Sequence, residues 1–267
     1  MLDEKARVCA NQQVAQDLYL ARLLAPRIAS RAAPGQFVAV RVSAGFSPFL
    51  RLPLSICRTD SAAGTIDLLY EDVGPKTRAL RQAGAAAELA CLGPLGRGFA
   101  MPAPGHRALL VGGGIGLPPL VFMGEALGQA GRRDAVLLAG TRTAAKHLPD
   151  ALLRAAAPVV RRATDDGTLG HGGLVTELLA EELEKGGDSA VYTCGPHAMM
   201  AAVARLCRDW DVACQASLEE YMACGFGVCV GCVVEAVPEA GASPYGRYRR
   251  ICLDGPVFDT RQVRWEG

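Results

Sequence analysis

The sequence predicts an α+β multidomain protein in three parts: an N-terminal antiparallel β-barrel, a central α/β domain with a parallel sheet, and a small C-terminal domain rich in cysteine. Three observations predict this organisation. Short β-type segments separated by Gly or Pro turns fill residues 1–101. Apolar strands alternate with helical segments over residues 102–212. Five of the ten cysteines fall in residues 213–267, where the alternation stops.

The composition excludes several classes of protein. Half of the 267 residues are hydrophobic and 21% are charged, which supports a sizeable core and excludes wholesale disorder. The net charge of +1 leaves no basic surface typical of nucleic-acid or anionic-membrane binding. The acidic N-terminus is unlike a signal peptide, and glycines and a Pro-Pro pair interrupt the uncharged stretch Ala108–Gly124. We therefore expect a cytoplasmic protein with no membrane span and with reduced thiols.

The individual elements follow from the same patterns. In the first region the sequence predicts one helix, Pro75–Gln82, and the strands Leu18–Leu23, Gln36–Val42, Leu54–Cys57, Thr65–Tyr70 and Glu88–Leu92. In the central region it predicts the strands Ala108–Val111, Ala135–Ala139, Val159–Ala163 and Ala190–Thr193. The central helices are predicted over Leu117–Gln129, Lys146–Ala156, Leu174–Glu184 and Pro196–Asp209.

A cysteine cluster is the most specific signal in the chain. Cys224, Cys229, Cys232 and Cys252 follow a C-x4-C-x2-C-x19-C pattern, and plant-type [2Fe–2S] ferredoxins use C-x4-C-x2-C with a distant fourth cysteine. Glycines between the first three allow a tight loop whose backbone N–H groups point at sulfur. A zinc site and unliganded thiols are the alternatives. Of the other six cysteines, five are expected to be ordinary buried thiols, with Cys194 as the exception.

Two turns at strand ends in the central region have the character of nucleotide-binding loops. Gly112, Gly113, Gly114 and Gly116 join a strand to a helix start, where bare backbone N–H groups can hold a pyrophosphate. The segment Cys194-Gly195-Pro196 ends another strand of the same sheet, so both turns should line one crevice. Plain structural turns, with Cys194 as a small packed hydrophobe, are the alternative.

Asp165 ends a third strand. An acidic side chain there can bond a ribose hydroxyl and repel a 2′-phosphate, which favours NAD over NADP. The alternative is a solvated turn. Glu219 and Glu220 stand just before the loop that carries Cys224, Cys229 and Cys232, which we call the cysteine loop. Both glutamates are expected to form a solvated face.

The order of these segments resembles a known family. The motifs RLPLSI, LLYEDVGPKT, LGPLGRGF, LLVGGGIGLPPL, YTCGP and EEYMACGFGVCVGC, with Cys252 in ICLDGPVF, are similar to the electron-transfer subunit of class 1B dihydroorotate dehydrogenase, in the ferredoxin–NADP reductase superfamily. The resemblance covers nearly the whole chain. It implies an FAD-binding barrel (1–101), an NAD-binding domain (102–212) and a [2Fe–2S] domain (213–267). It also implies an FMN-containing catalytic partner in a heterotetramer of two plus two.

The resemblance also implies flavin contacts, residue by residue. The R-P-x-S flavin motif falls on Leu52-Pro53-Leu54-Ser55, so its arginine is missing and Arg51 stands one position earlier. A slip of one residue on a strand turns a side chain to the other face. In the G-x-G-T turn, Lys76 replaces the second glycine, and its ammonium can add a phosphate contact. The implied flavin residues are Arg51, Leu52, Pro53, Leu54, Ser55, Leu69, Tyr70, Glu71, Gly74, Lys76 and Thr77.

The expected activity is electron transfer from the partner's FMN through the cluster and FAD to NAD⁺, in pyrimidine biosynthesis. A flavin suits the middle position because it handles both single electrons and hydride. No acid or base side chain is required at the hydride step, so no catalytic residue is predicted. The alternatives are a flavin and iron–sulfur reductase serving another catalytic partner, such as a hydrogenase or a glutamate synthase-like enzyme, and a non-catalytic module stabilised by zinc.

Overall fold

The N-terminal part of the chain forms a closed six-stranded barrel. The structure is a computed structural model that describes residues 1–43, 45, 47–238 and 244–265. The barrel strands are β1 (Leu2–Ala15), β2 (Leu18–Leu24), β3 (Phe37–Arg41), β4 (Leu52–Asp60), β5 (Thr65–Glu71) and β6 (Glu88–Leu95). Their order around the barrel is β1-β2-β5-β4-β3-β6, and every pairing is antiparallel. Two helices accompany them, α1 (Pro26–Ala29) and α2 (Pro75–Gln82).

Strand β1 was not predicted, although its inward face has a clear period of two. Ala6 and Val8 are buried in the barrel, whereas the alternate positions carry charged or exposed side chains. Those exposed side chains interrupt the apolar positions, so no apolar run marks the strand. The same alternation corrects the expectation for Cys9, which is exposed rather than buried because it lies on the outward face.

The central part forms a seven-stranded sheet. Its strands are β7 (Arg107–Gly113), β8 (Val136–Thr141), β9 (Val159–Thr164), β10 (His171–Gly172), β11 (Ser189–Cys194), β12 (Ala213–Ser217) and, from the end of the chain, β15 (Val257–Asp259). Their order is β10-β9-β8-β7-β11-β12-β15. The helices between them are α3 (Leu117–Gln129), α4 (Asp150–Ala156), α5 (Val175–Glu184) and α6 (His197–Asp209). All pairings are parallel except that of β12 with β15.

Two features differ from the sequence expectations. Helix α4 begins at Asp150 rather than Lys146. Pro149 stands directly before the helix, and the residue that precedes a proline is disfavoured in the helical backbone conformation. The sheet also continues beyond residue 212 through β12 and β15. The predicted division of the chain at residue 212 stays a prediction.

The C-terminal segment carries little regular structure of its own. It holds a two-stranded ribbon of β13 (Val233–Glu235) and β14 (Tyr248–Arg250), followed by the short helix α7 (Ile251–Asp254). Strand β15 then returns to the edge of the central sheet. Among the residues that the structure describes, no helix has the length and apolar character needed to cross a membrane.

One hydrophobic cluster joins the three parts close to the cysteine segment, and we call it the junction core. The barrel contributes Phe37, Ala39 and Leu95. The remaining buried members come from the central sheet and the cysteine segment: Met200, Ala216, Leu218, Cys232, Ile251, Cys252, Phe258 and Val263. Because large apolar side chains from all three parts are buried together, the parts hold a fixed arrangement.

An ion pair also ties the barrel to the central domain. Arg58 on β4 lies 2.7 Å (Nε to Oε1) from Glu125 on α3, and the Glu125 side chain is largely buried. Burial raises the pKa of Glu125, and the positive charge of Arg58 opposes that shift.

We expect Arg58→Ala to lower the free energy of unfolding by about 1–3 kcal/mol, because it leaves a carboxylate buried without its partner. Adding Glu125→Gln should restore part of the loss. Urea denaturation measures both changes. Arg154→Ala, which breaks a pair of exposed side chains with Asp150, is the control and should change stability by less than about 0.5 kcal/mol. Equal losses in Arg58→Ala and Arg154→Ala would contradict the assignment.

Candidate functional site

A cavity opens where the barrel, the central domain and the start of the cysteine segment meet. Its walls are mostly apolar, with a hydroxyl from Ser55 and three carboxylates. The lining residues are Phe37, Pro53, Leu54, Ser55, Leu69, Tyr70, Glu71, Val73, Thr77, Ile115, Pro118, Leu218, Glu219, Glu220, Met222 and Pro256. An apolar cleft with a few polar groups at a domain junction is the usual form of a cofactor site.

Seven of the eleven residues with implied flavin contacts line this cavity. Strand β4 supplies Pro53, Leu54 and Ser55, and its neighbour in the barrel, β5, supplies Leu69, Tyr70 and Glu71. Thr77 completes the set from α2. Two segments separated in sequence therefore meet on adjacent strands at one end of the barrel.

Arg51 and Leu52 lie outside the cavity lining. The Leu52 side chain is buried in the barrel core. The Arg51 guanidinium turns toward β3 and β6, where Nη1 donates to the carbonyl of Ala90 at 2.8 Å and to that of Ala39 at 3.4 Å. Its Nη2 also lies 3.5 Å from Oδ1 of Asp3. Arg51 is thus occupied by the barrel itself.

The start of helix α2 adjoins the cavity. The Thr77 hydroxyl accepts hydrogen bonds from the backbone N–H groups of Val73, at 3.1 Å, and Gly74, at 3.0 Å. Pro75 occupies the first turn, where its missing N–H costs nothing. Lys76 follows, and its ammonium donates to the carbonyl of Arg51 at 3.3 Å. Gly74 and Lys76 therefore stand beside the cavity without lining it.

The two predicted nucleotide-binding turns are in backbone contact. A Cβ atom on Gly116 would lie 2.4 Å from the carbonyl carbon of Cys194, so only glycine allows this approach. A Cβ on Gly195 would lie 2.9 Å from the backbone nitrogen of Gly113. Since β7 and β11 are adjacent parallel strands, the turns that follow them form one crevice at their carboxyl ends. Gly114 has φ +54° and faces open space.

The same crevice adjoins the cavity described above. Ile115, from the glycine turn, and Pro118, from the first turn of α3, both belong to the cavity lining. The Cys194 side chain is fully buried in the core, so this residue offers backbone atoms to the crevice. Burial raises the pKa of the Cys194 thiol strongly, and the negative charge of Glu219 adds to the shift.

Asp165 lies apart from these turns. It is exposed after β9, and β8 separates β9 from β7 in the sheet. Its backbone N–H donates to the carbonyl of Thr141 at 3.1 Å. The neighbouring Asp166 is occupied differently, because its Oδ1 accepts from the backbone and the hydroxyl of Thr168 at 3.0 and 2.6 Å.

The four clustered cysteines form two pairs. The backbone N–H of Cys229 donates to Sγ of Cys224 at 3.4 Å, and the backbone N–H of Cys252 donates to Sγ of Cys232 at the same distance. The thiols are also within hydrogen-bond reach inside each pair. In the part of the chain that the structure describes, no group of three or more His, Cys, Asp or Glu side chains is arranged to hold one metal ion. Two pairs suit a cluster of two irons with four thiolate ligands.

The cysteine loop provides donors to sulfur and packs directly on the barrel. Burial alone would raise the pKa of the Cys224 thiol, but the N–H groups of Cys229, Phe226 and Val228 lower it to about 6. Gly225 and Gly227 have φ of +79° and +91°, which favours glycine. A Cβ on Gly225 would lie 3.6 Å from Cβ of Ala39 on β3, so the loop touches the barrel close to the cavity.

Sequence reasoning missed nine of the residues that line the cavity. Glu219 and Glu220 are exposed, as the sequence predicts, and both also line the cavity. Desolvation by the surrounding protein raises the pKa of Glu219. The other missed residues are Phe37, Val73, Ile115, Pro118, Leu218, Met222 and Pro256. Their only signal in the sequence was proximity to a recognised motif.

We expect Cys229→Ser to lose most of its iron and acid-labile sulfide, because one iron then lacks a thiolate ligand. The unsubstituted protein should hold about two irons and two sulfides per chain. Iron and sulfide analysis of anaerobically purified protein measures the change. Cys9→Ser is the matched control, since Cys9 is an exposed thiol on the barrel. Retention of both elements in Cys229→Ser would contradict the assignment.

Comparison with known proteins agrees with this geometry. A family model described as the iron-sulfur cluster binding domain of dihydroorotate dehydrogenase B matches residues 219–264. A model described as an oxidoreductase NAD-binding domain matches residues 110–205. A solved structure of the NADH-dependent reduced ferredoxin-NADP oxidoreductase aligns with a TM-score of 0.85 and 26% identity, over 97% of this chain and 90% of that chain. A ferredoxin reductase of carbazole 1,9a-dioxygenase shares the fold, with a TM-score of 0.67 and 22% identity, over 79% of this chain and 66% of that chain.

Relatives of nearly equal length carry one name. The protein from Desulforamulus reducens named dihydroorotate dehydrogenase B (NAD(+)), electron transfer subunit, is 38% identical over 98% of both chains. The protein of the same name from Bacillus caldolyticus is 37% identical over 97% of this chain and 98% of its own. On this identity over nearly its whole length, the chain belongs to the family of electron transfer subunits of dihydroorotate dehydrogenase B.

Proposed function

We propose that this chain carries electrons from an FMN-containing dihydroorotate dehydrogenase subunit, through a [2Fe–2S] cluster and FAD, to NAD⁺ in de novo synthesis of UMP. One observation carries the proposal. The cavity, the nucleotide crevice and the cysteine loop converge at one junction, where Met222 of the cysteine segment and Ile115 of the glycine turn line the same cavity. Redox groups bound by these three neighbouring sites would be close together, as electron transfer requires.

The residues of the cavity fit a flavin. Leu54, Leu69 and Ile115 offer apolar surface for a planar ring system, and the Ser55 hydroxyl offers a hydrogen bond at the same wall. The Tyr70 ring stacks on Tyr19 with centroids 5.7 Å apart, and its hydroxyl donates to Asn11 at 2.9 Å, so the tyrosine is held in one orientation. The start of α2 adjoins the cavity through Thr77, and its free N–H groups could hold a phosphate.

The crevice between the two turns fits NAD. The glycine turn follows β7 at the carboxyl ends of the adjacent strands β7 and β11, and Gly114 faces open space there, which suits a pyrophosphate. The Gly112–Gly116 turn and the Gly195–Pro196 turn would hold the dinucleotide against the cavity. The side chains of this chain bind and orient the two cofactors and exclude water, and none is assigned a proton-transfer role.

When bound, FAD supplies exchange between single electrons and hydride, and the cluster supplies single-electron transfer. Cys224, Cys229, Cys232 and Cys252 would hold the cluster. Exposed apolar side chains surround them: Tyr221 is 95% exposed and Val228 is 73% exposed. Exposed apolar surface of this kind favours contact with another protein. We propose that a catalytic FMN subunit covers it in a complex of two plus two chains, working in the cytoplasm.

The test is a visible spectrum with iron, sulfide and zinc analysis on anaerobically purified protein, before and after addition of NADH. Flavin and iron–sulfur bands that both bleach with NADH are the expected result. Reduction of NAD⁺ by dihydroorotate should then require the catalytic subunit. A colourless protein loaded with zinc would overturn the proposal.

A second candidate is a reductase that serves another catalytic partner. The similarity to the NADH-dependent reduced ferredoxin-NADP oxidoreductase structure favours it as an alternative. Both candidates predict the same spectrum of the isolated chain. Activity with dihydroorotate in the reconstituted complex separates them.

We expect Asp165→Ser to raise kcat/KM for NADP(H) relative to NAD(H) by about tenfold or more, because it removes a charge that repels the 2′-phosphate. Diaphorase assays with both nucleotides measure the ratio. Asp166→Asn is the matched control, since Asp166 is already bonded to Thr168. A larger change in Asp166→Asn than in Asp165→Ser would move the assignment to the neighbouring residue.

A further inference from the structure

The flavin cavity has an unusual charge balance for a site that must hold a diphosphate. Three carboxylates line it, from Glu71, Glu219 and Glu220, and its lining residues include no lysine or arginine. The diphosphate of FAD is an anion, and burying an anion without a positive partner is costly. The side-chain cations available to the diphosphate therefore stand beside the lining rather than in it.

The two positions closest to the family's flavin motif cannot provide this cation. Position 52 is a leucine whose side chain lies in the barrel core. The Arg51 guanidinium is held by the carbonyls of Ala90 and Ala39 and lies 3.5 Å from Asp3. Moving it to the cavity would break these contacts.

Two other cations near the cavity, Lys146 and Arg81, are neutralised by carboxylates. Lys146 lies 2.7 Å from Glu71 and 3.1 Å from Asp17, bridging the central domain to the barrel. Arg81 lies 2.9 Å from Asp72. Each of these side chains would lose an ion pair on turning toward a phosphate.

Lys76 differs from all of them. It is the second residue of α2, next to the lining residue Thr77, and its ammonium reaches across to the carbonyl of Arg51 at 3.3 Å. Its side chain therefore ends beside the backbone of the flavin motif, near the position where the motif's arginine is missing. Among the described residues, no carboxylate forms an ion pair with Lys76.

We propose that the Lys76 ammonium binds the diphosphate of FAD and replaces the arginine that is absent at position 52. The positive charge has moved from strand β4 to the first turn of α2, where the N–H groups of residues 76 and 77 have no partner within the helix. On binding FAD, the Lys76 ammonium would exchange its hydrogen bond to the Arg51 carbonyl for a hydrogen bond to a phosphate oxygen. This exchange favours binding because a hydrogen bond between two charged groups is stronger than one to a neutral carbonyl. This inference rests on the proposed FAD site and assigns the residue that selects the diphosphate.

The test compares two flavins on the full chain, with its cluster in place and its flavin removed. Riboflavin carries the ring system without phosphates, and FAD carries both. Lys76→Gln should weaken FAD binding by about tenfold or more, the equivalent of one charged hydrogen bond, and leave riboflavin affinity within about twofold. Lys76→Arg should retain FAD affinity. Flavin fluorescence titration gives the Kd values, and thermal unfolding of each flavin-free variant verifies its fold.

Two further variants sharpen the result. Arg78→Gln removes one positive charge from an exposed position on the same helix, and it should leave both affinities unchanged. Arg51→Gln tests the competing cation and should not weaken FAD selectively over riboflavin. Added salt should raise the Kd for FAD more in the unsubstituted protein than in Lys76→Gln.

The outcomes are separable. The inference is overturned if Lys76→Gln weakens FAD and riboflavin equally, if it weakens neither, or if the selective loss appears in Arg51→Gln instead. Failure of the unsubstituted chain to bind either flavin would contradict the proposed FAD site itself. Selective loss of FAD affinity in Lys76→Gln alone supports the assignment.

Discussion

Burial of the junction core is the constraint on which the functional arrangement depends. Phe37 from the barrel, Leu218 from the end of the central sheet and Cys252 from the cysteine segment are buried in one cluster. Close-packed interiors resist sliding, so the junction core holds the cysteine loop, the flavin cavity and the nucleotide crevice beside one another. Electron transfer requires short distances, and hydrophobic packing in the junction core brings the three parts together without a dedicated linker.

The site itself is a compromise between packing and charge. Its apolar walls suit a flavin ring, yet three carboxylates face the same space and Glu219 has a raised pKa because protein surrounds it. Ion pairs such as Lys146 with Glu71 neutralise part of this charge and also join the domains. The proposed role of Lys76 follows from the same balance, since an acidic cleft that holds a diphosphate needs a cation from its border.

Much of the fold and of the candidate site could be predicted from local patterns. The cysteine spacing, the glycine turn after β7 and the flavin motif on β4 each carry chemistry in a short segment, and the family, the fold class and the three cofactors predicted from them are confirmed. Strand β1 could not be predicted in the same way, because charged side chains on its outer face separate its apolar residues. Leu218 and Met222 were missed because their role comes from what packs against them.

Sequence alone determined which chemistry the chain carries, because the type of ligand and the flexibility of a loop are properties of short segments. The four cysteines have the spacing of a ferredoxin, and glycines stand where the backbone must approach a phosphate. Only the tertiary structure decided which side chains reach the cavity. It turned Arg51 toward the carbonyls of β3 and β6, buried Leu52, and brought Glu219 to the flavin cleft. Side-chain direction on a strand depends on register and on neighbouring strands, which are long-range contacts that no local pattern contains.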